Sequence, residues 1–400
     1  MAPRLTGRTA AVSAAAFVAA LATVLALVAA SRGGRPGAAP QVQPTAPASS
    51  AHLPTHPVAA VKPRPLRAGE SRMALRMPAA YRPSAPAGAG TDDYRCFLLD
   101  LHLTADRFLT GTFVRPGDRA EVHHVILFRV DPDQVSAAEQ LDAGDPGQGW
   151  TCFGDSGLPN SNDLDNAPWL GAWAPGGQES VDAPGYGVPL PAGSRIVMQV
   201  HYNLLAGDRP DRSAALLRLA SPSARLTPIE TMLLPAPVEL PCRPEHADGP
   251  LCDRTASVAD VVHRFGAVGR TDDLLNFLCG PQRSSEITSC ARTIREPTTI
   301  RAVAGHMHLL GRWIKIQVDP GTPRARTVLD IPLWNFDDQA AQQIRPVSLR
   351  PGDTVKVTCR HVQWLRDQLP AFRGQPDRYV VWGEGTTDEM CLGILAVTHP

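Results

Sequence analysis

From residue 91 onward the chain is cut into short apolar runs, and the cuts are made by residues that turn a backbone. Runs at 96–103, 119–130, 195–204 and 214–219 are separated by Arg115-Pro116-Gly117-Asp118, Pro146-Gly147, Ala174-Pro175-Gly176-Gly177 and Pro191-Ala192-Gly193-Ser194. A second set at 299–304, 313–318, 327–331, 354–358, 378–382 and 391–397 is broken by Asp319-Pro320-Gly321-Thr322, Arg350-Pro351-Gly352-Asp353 and Gly383-Glu384-Gly385. Proline presets the φ of a turn and glycine supplies positive φ. Runs this short, so bounded, are strands, and their number calls for antiparallel sandwiches. The expected class is all-β, with two antiparallel β-sandwich domains at 91–228 and 229–400. The 39 prolines and 33 glycines fit that class.

Two parts of the chain break the pattern. Arg4 and Arg8 precede an apolar stretch at 9–30, which reads as an export signal or a membrane anchor. Val28 and Ala30 before Ser31 suit signal cleavage, yet the stretch is long enough to span a bilayer. Residues 31–90 contain eleven prolines among Ala, Ser and Gly without hydrophobic periodicity, and read as an extended tether. In the second domain, residues 242–300 hold Cys242, Cys252, Cys279 and Cys290, with helix-like spacing at 258–265 and 272–278. This is a disulfide-tied insertion, a structural excursion or a lid. Eight cysteines without a Cys-x-x-Cys pair, behind an export signal, place the chain outside the cytoplasm, secreted or held at the cell surface. Lys+Arg and Asp+Glu both number 39, so the chain lacks the basic excess that nucleic acid demands.

The chemistry lies in histidines. In Gly305-His306-Met307-His308, alternation along a strand points both imidazoles the same way. His123 and His124 are adjacent, so they serve one ion only at a bulge or strand end. His201 ends a neighbouring strand-like run, and the three make an N3 set. Met390 is a candidate third ligand for His306 and His308, and a thioether beside two imidazoles suits Cu(I). Phosphate-loop, serine-elbow and His-Glu-x-x-His motifs are lacking from the sequence.

In order along the chain stand His123-His124, His201-Tyr202-Asn203, His306-x-His308-Leu309-x-Gly311-Arg312 and Asp388-Glu389-Met390-Cys391. This pattern resembles the type II copper, ascorbate-dependent monooxygenases, the family of peptidylglycine α-hydroxylating and dopamine β-monooxygenases, over about residues 91–400. The resemblance implies two jelly-roll sandwiches and two coppers per chain. His123, His124 and His201 would hold the electron-transfer copper. His306, His308 and Met390 would hold the copper that meets O2 and substrate. It also implies ascorbate as reductant, a solvent-filled cleft between unbridged coppers, and a Cys359–Cys391 bridge. Cys96 with Cys152 would then tie the first domain, leaving the four insertion cysteines to pair among themselves. The chain departs from the family at Ala304, where peptide-hydroxylating members carry an arginine, and at Leu392 and Ile394, where they carry polar residues. The substrate, a small molecule or peptide, is therefore open. Glu389 is expected to make strand-end hydrogen bonds. The remaining histidines, His361 among them, are expected to be structural or on the surface. A non-catalytic copper-binding protein on the same scaffold is the alternative reading.

Overall fold

The computed structural model describes residues 62–400 apart from Asn160 and Asn162. The signal or anchor segment at 9–30 lies outside the described residues. Four sheets, antiparallel save for one short edge pairing, account for the fold. In the first half, one sheet runs Ser71–Arg76, Ala214–Leu219, Arg107–Arg115, Tyr186–Leu190, Thr227–Pro228. It faces a second sheet of Trp150–Thr151, Asp92–Asp100, Arg195–Asn203, Val122–Val130 and Trp169–Trp173. In the second half, Glu230–Pro235, Leu392–Thr398, Thr298–His306 and Gln342–Leu349 face Ile287–Thr293, Thr354–His361, Gly311–Val318 and Arg326–Ile331. Sheet membership changes between Pro228 and Glu230, while Ala60–Pro400 make up one compact unit.

Period-two alternation decides which side chains fill each sandwich. On Arg195–Asn203, Ile196, Met198, Val200 and Tyr202 enter the core with Phe97, Leu127 and Leu217. Their odd-numbered neighbours, His201 included, therefore stand on the outer face. In the second half Ile314, Ile316, Val355, Val357 and Leu395 fill the core. Gly305 and Gly393 are register partners there. A Cβ on either would come within 2.9 Å of Ile314 or Ile316. With Gly305 facing inward, His306 beside it faces outward. Backbone bonds join the halves, with Ala167 paired to Thr231 and the Leu233 N–H donating to Leu164. Both histidine-bearing faces are thus outer faces of their sandwiches.

The structure corrects several expectations. The Pro-rich tether does not reach residue 90. Ser71–Arg76 is an edge strand paired with Ala214–Leu219, and Leu75 and Met77 are buried. The alternation of Met73, Leu75 and Met77 carries that signal, hidden among the flanking prolines. The run at 378–382 forms no strand, only single bridges from Val380 to Leu240 and from Trp382 to Glu389. Conversely, Gln342–Leu349 is a strand despite Pro346, and it lies at a sheet edge, where a missing N–H is tolerated.

The insertion contains helices Arg254–Phe265 and Thr271–Cys279, the first capped by the Asp253 side chain on the Ala256 N–H. It is a buttress. Buried Asp272 accepts from the Val238 and Trp382 N–H groups, and Arg254 joins it to Glu239. The four disulfides are Cys96–Cys152, Cys242–Cys252, Cys279–Cys290 and Cys359–Cys391. They fit an oxidising, extracytoplasmic compartment. No helix among the described residues is long and apolar enough to cross a membrane.

Candidate metal centre

The first set converges on one point. The register of Val122–Val130 against Arg195–Asn203 shifts between Val122 and His124, the bulge that adjacent histidines need. Through it the Nδ1 atoms form a triangle: His123 to His201 3.0 Å, His123 to His124 3.2 Å, His124 to His201 3.3 Å. Three neutral imidazoles cannot satisfy such a triangle by hydrogen bonding, since each N–H serves essentially one acceptor. An ion ~2.0 Å from each nitrogen fits it. Burial, followed by the neighbouring histidines, pushes His123 and His124 well below the usual imidazole range, and burial does the same for His201. The rings stay neutral and their lone pairs stay available.

The surroundings set the tautomer. His201 Nε2–H donates to Asp92 Oδ1 at 2.8 Å, leaving Nδ1 as the ligand atom. The same ring stacks on Tyr94 at 3.9 Å between centroids. Burial raises the Asp92 carboxyl to about 6, against the hydrogen bonds that Thr386 donates to it.

The second set uses the opposite nitrogen. His306 Nδ1 lies 2.6 Å from Gln339 Oε1, and His308 Nδ1 lies 3.3 Å from the Asp388 carbonyl. Both Nδ1 atoms donate, so both Nε2 atoms carry lone pairs. His308 Nε2 is buried with no hydrogen-bond partner among the described residues. Burial, with His308 alongside, lowers His306 to about 3. The expected single strand is only half present. The strand ends at His306, and His308 lies beyond it, the rings 5.1 Å apart. The ladder ends with His306 opposite Leu392. The pairing therefore stops short of both His308 and Met390. Met390 is buried in an apolar cluster with Ala167, Leu233, Leu275, Trp382 and Leu392.

Behind the second set lies Glu389, fully buried. Its carboxylate accepts the N–H groups of His308 and Leu310 and faces His361 Nε2 at 3.2 Å. Burial would raise this carboxyl, but His361 and the His308 N–H outweigh it and hold it below the usual range. Asp388 is gripped by both terminal nitrogens of Arg264, at 2.7 and 2.6 Å. The helical insertion thereby holds the turn that carries Met390.

Among the described residues the two sets stand close together, not across the solvent-filled gap that the resemblance implies. The His124 and His306 rings are 6.1 Å apart between centroids. Phe336 stacks on His123 at 4.3 Å and meets His308 edge-on at 6.4 Å. Its loop is tied down by Gln339 on His306. Phe336, Gln339 and Asp92 escape motif reading because each lies far along the chain from the histidine it touches, and Thr386 meets His201 only through Asp92.

Comparison with family models and with curated proteins yields no match. Among solved structures, the major capsid protein P2 of bacteriophage PM2 overlaps 82% of this chain and 97% of its own, at 9% identity and TM-score 0.28. A Paenibacillus xanthan lyase overlaps 80% of this chain and 25% of its own, at 11% identity and TM-score 0.19. Coconut cocosin overlaps 82% and 85%, at 9% identity and TM-score 0.15. Likeness at this level carries no argument about function.

Proposed function

We propose that the chain is a copper-dependent monooxygenase that hydroxylates a substrate C–H bond with O2 and ascorbate or a similar reductant. The observation that supports this best is the Nδ1 triangle of His123, His124 and His201, with the buried, unpartnered His308 Nε2 close by. Copper bound at the two sets would supply one-electron redox at each. His123, His124 and His201 would hold one ion, and His306, His308 and Met390 the other.

The chain's own residues position these donors. Asp92 keeps the Nε2 proton of His201, and Gln339 and the Asp388 carbonyl keep the Nδ1 protons of His306 and His308. The apolar cluster around Met390 excludes water. Ala304, Leu392 and Ile394 lie on the His306 face and offer no charge to a substrate carboxylate. The product is an alcohol, with the second oxygen atom leaving as water. The protein is secreted or held to a membrane through residues 9–30. Oxygen uptake coupled to ascorbate, measured across a panel of C–H substrates, tests the reading. Met390→Ala and His306→Ala are each expected to abolish it, and full activity in either overturns it.

The placement of Phe336 between the two sets favours a second reading, a non-catalytic copper-binding protein. Stoichiometric copper without ascorbate-dependent oxygen uptake would decide for it.

A further inference from the structure

We propose that Asp92 is a positioning residue for both histidine sets, holding His201 directly and the Met390 segment through Thr386. The inference rests on the metal reading above and adds a physical link between its two sites. Asp92 Oδ1 accepts from His201 Nε2 at 2.8 Å, from Thr386 Oγ1 at 2.6 Å and from the Thr386 N–H at 3.2 Å. One buried oxygen thus serves a ligand of the first set and a residue almost three hundred positions away, four before Met390.

The contact belongs to a small plate. Asp92 is the register partner of Asn203, and Tyr94 that of His201. Asn203 Nδ2 donates to Thr386 Oγ1 at 3.2 Å, and the Tyr94 hydroxyl donates to the Glu384 carbonyl at 2.7 Å. Two neighbouring strands of the first half therefore seat the 384–386 segment of the second. That segment has little slack before Met390. The Gly385 N–H donates to Asp388 Oδ2, and the Asp388 N–H returns to the Gly385 carbonyl. Glu389, next in line, fixes the His308 and Leu310 N–H groups. A displacement at Thr386 is passed through this closed turn to Met390 and His308.

The test uses the full chain loaded with Cu(I) alone, read by competition against a Cu(I) chelator and by copper–sulfur scattering in X-ray absorption. Asp92→Asn is expected to weaken copper at the histidine trio about 10–100-fold, the usual effect of losing such an outer partner. Thr386→Val removes the hydroxyl but keeps the shape. It is expected to leave the trio's affinity unchanged while diminishing the copper–sulfur signal, and Thr386→Ser is expected to restore that signal. If Asp92→Asn fails to fold, the threonine pair carries the test. A copper–sulfur signal in Thr386→Val equal to that of the wild type overturns this inference and leaves the metal reading intact. A wild-type protein that takes up no copper overturns both.

Discussion

Glu389 shows how much one side chain holds in place. It is fully buried and accepts the N–H groups of His308, Leu310 and Met390. Glu389→Ala would orphan these donors and is expected to cost about 3 kcal/mol or more, read by denaturant unfolding. A loss under 1 kcal/mol would show that the donors find other partners. Glu384 gives a pH signature. Burial, then the charges of Asp155 and Asp388, raise its carboxyl to about 8, far above the ordinary 4.5. The unfolded chain releases this proton first, so the folded state binds more protons between those two values. Stability from this group is therefore complete below about 4.5 and is lost as pH rises towards about 8. Glu384→Gln is expected to flatten that decline, by up to a few kcal/mol, in thermal or chemical unfolding measured from pH 5 to 8. An unchanged slope would contradict it.

At the scale of elements, the Cys359–Cys391 bridge pins the end of Thr354–His361 to the residue after Met390. Replacing both cysteines by alanine is expected to cost about 3–4 kcal/mol for a loop of this length. Copper affinity at the second set should fall with it, while the trio's is retained. The edge strand gives a second check: a chain beginning at residue 78 loses Leu75 and Met77 from the core and exposes Ala214–Leu219. It should unfold several kcal/mol more easily, since each buried Leu or Met contributes ~2 kcal/mol or more. Strands of strong alternation, such as Arg195–Asn203 and Thr354–His361, were legible in the sequence because packing on one face imposes the period. The adjacent histidines called for a bulge or a strand end if both were to serve one ion, and the register shift at His123 decides between them. Glu389's hydrogen bonding was foreseen, while His361, expected to be structural or on the surface, is buried against the Glu389 carboxylate. Ser71–Arg76 and Gln342–Leu349 were not foreseen, because proline and polar residues mask edge strands. The Asp92–Thr386 contact was beyond reach, since tertiary pairing decides it.

For the molecule as a whole, the arrangement turns two outer sheet faces towards each other and places five imidazoles between them. The resemblance supplied the candidate ligands, but it also implied an open cleft that Phe336 fills. The account depends on the five imidazoles serving two ions rather than packing against one another. Copper stoichiometry of the purified, copper-replete protein tests this most directly, in the wild type and in His201→Ala and His308→Ala. The account predicts two coppers per chain in the wild type and one in each variant. No bound copper in the wild type, or the same stoichiometry in all three proteins, would contradict it.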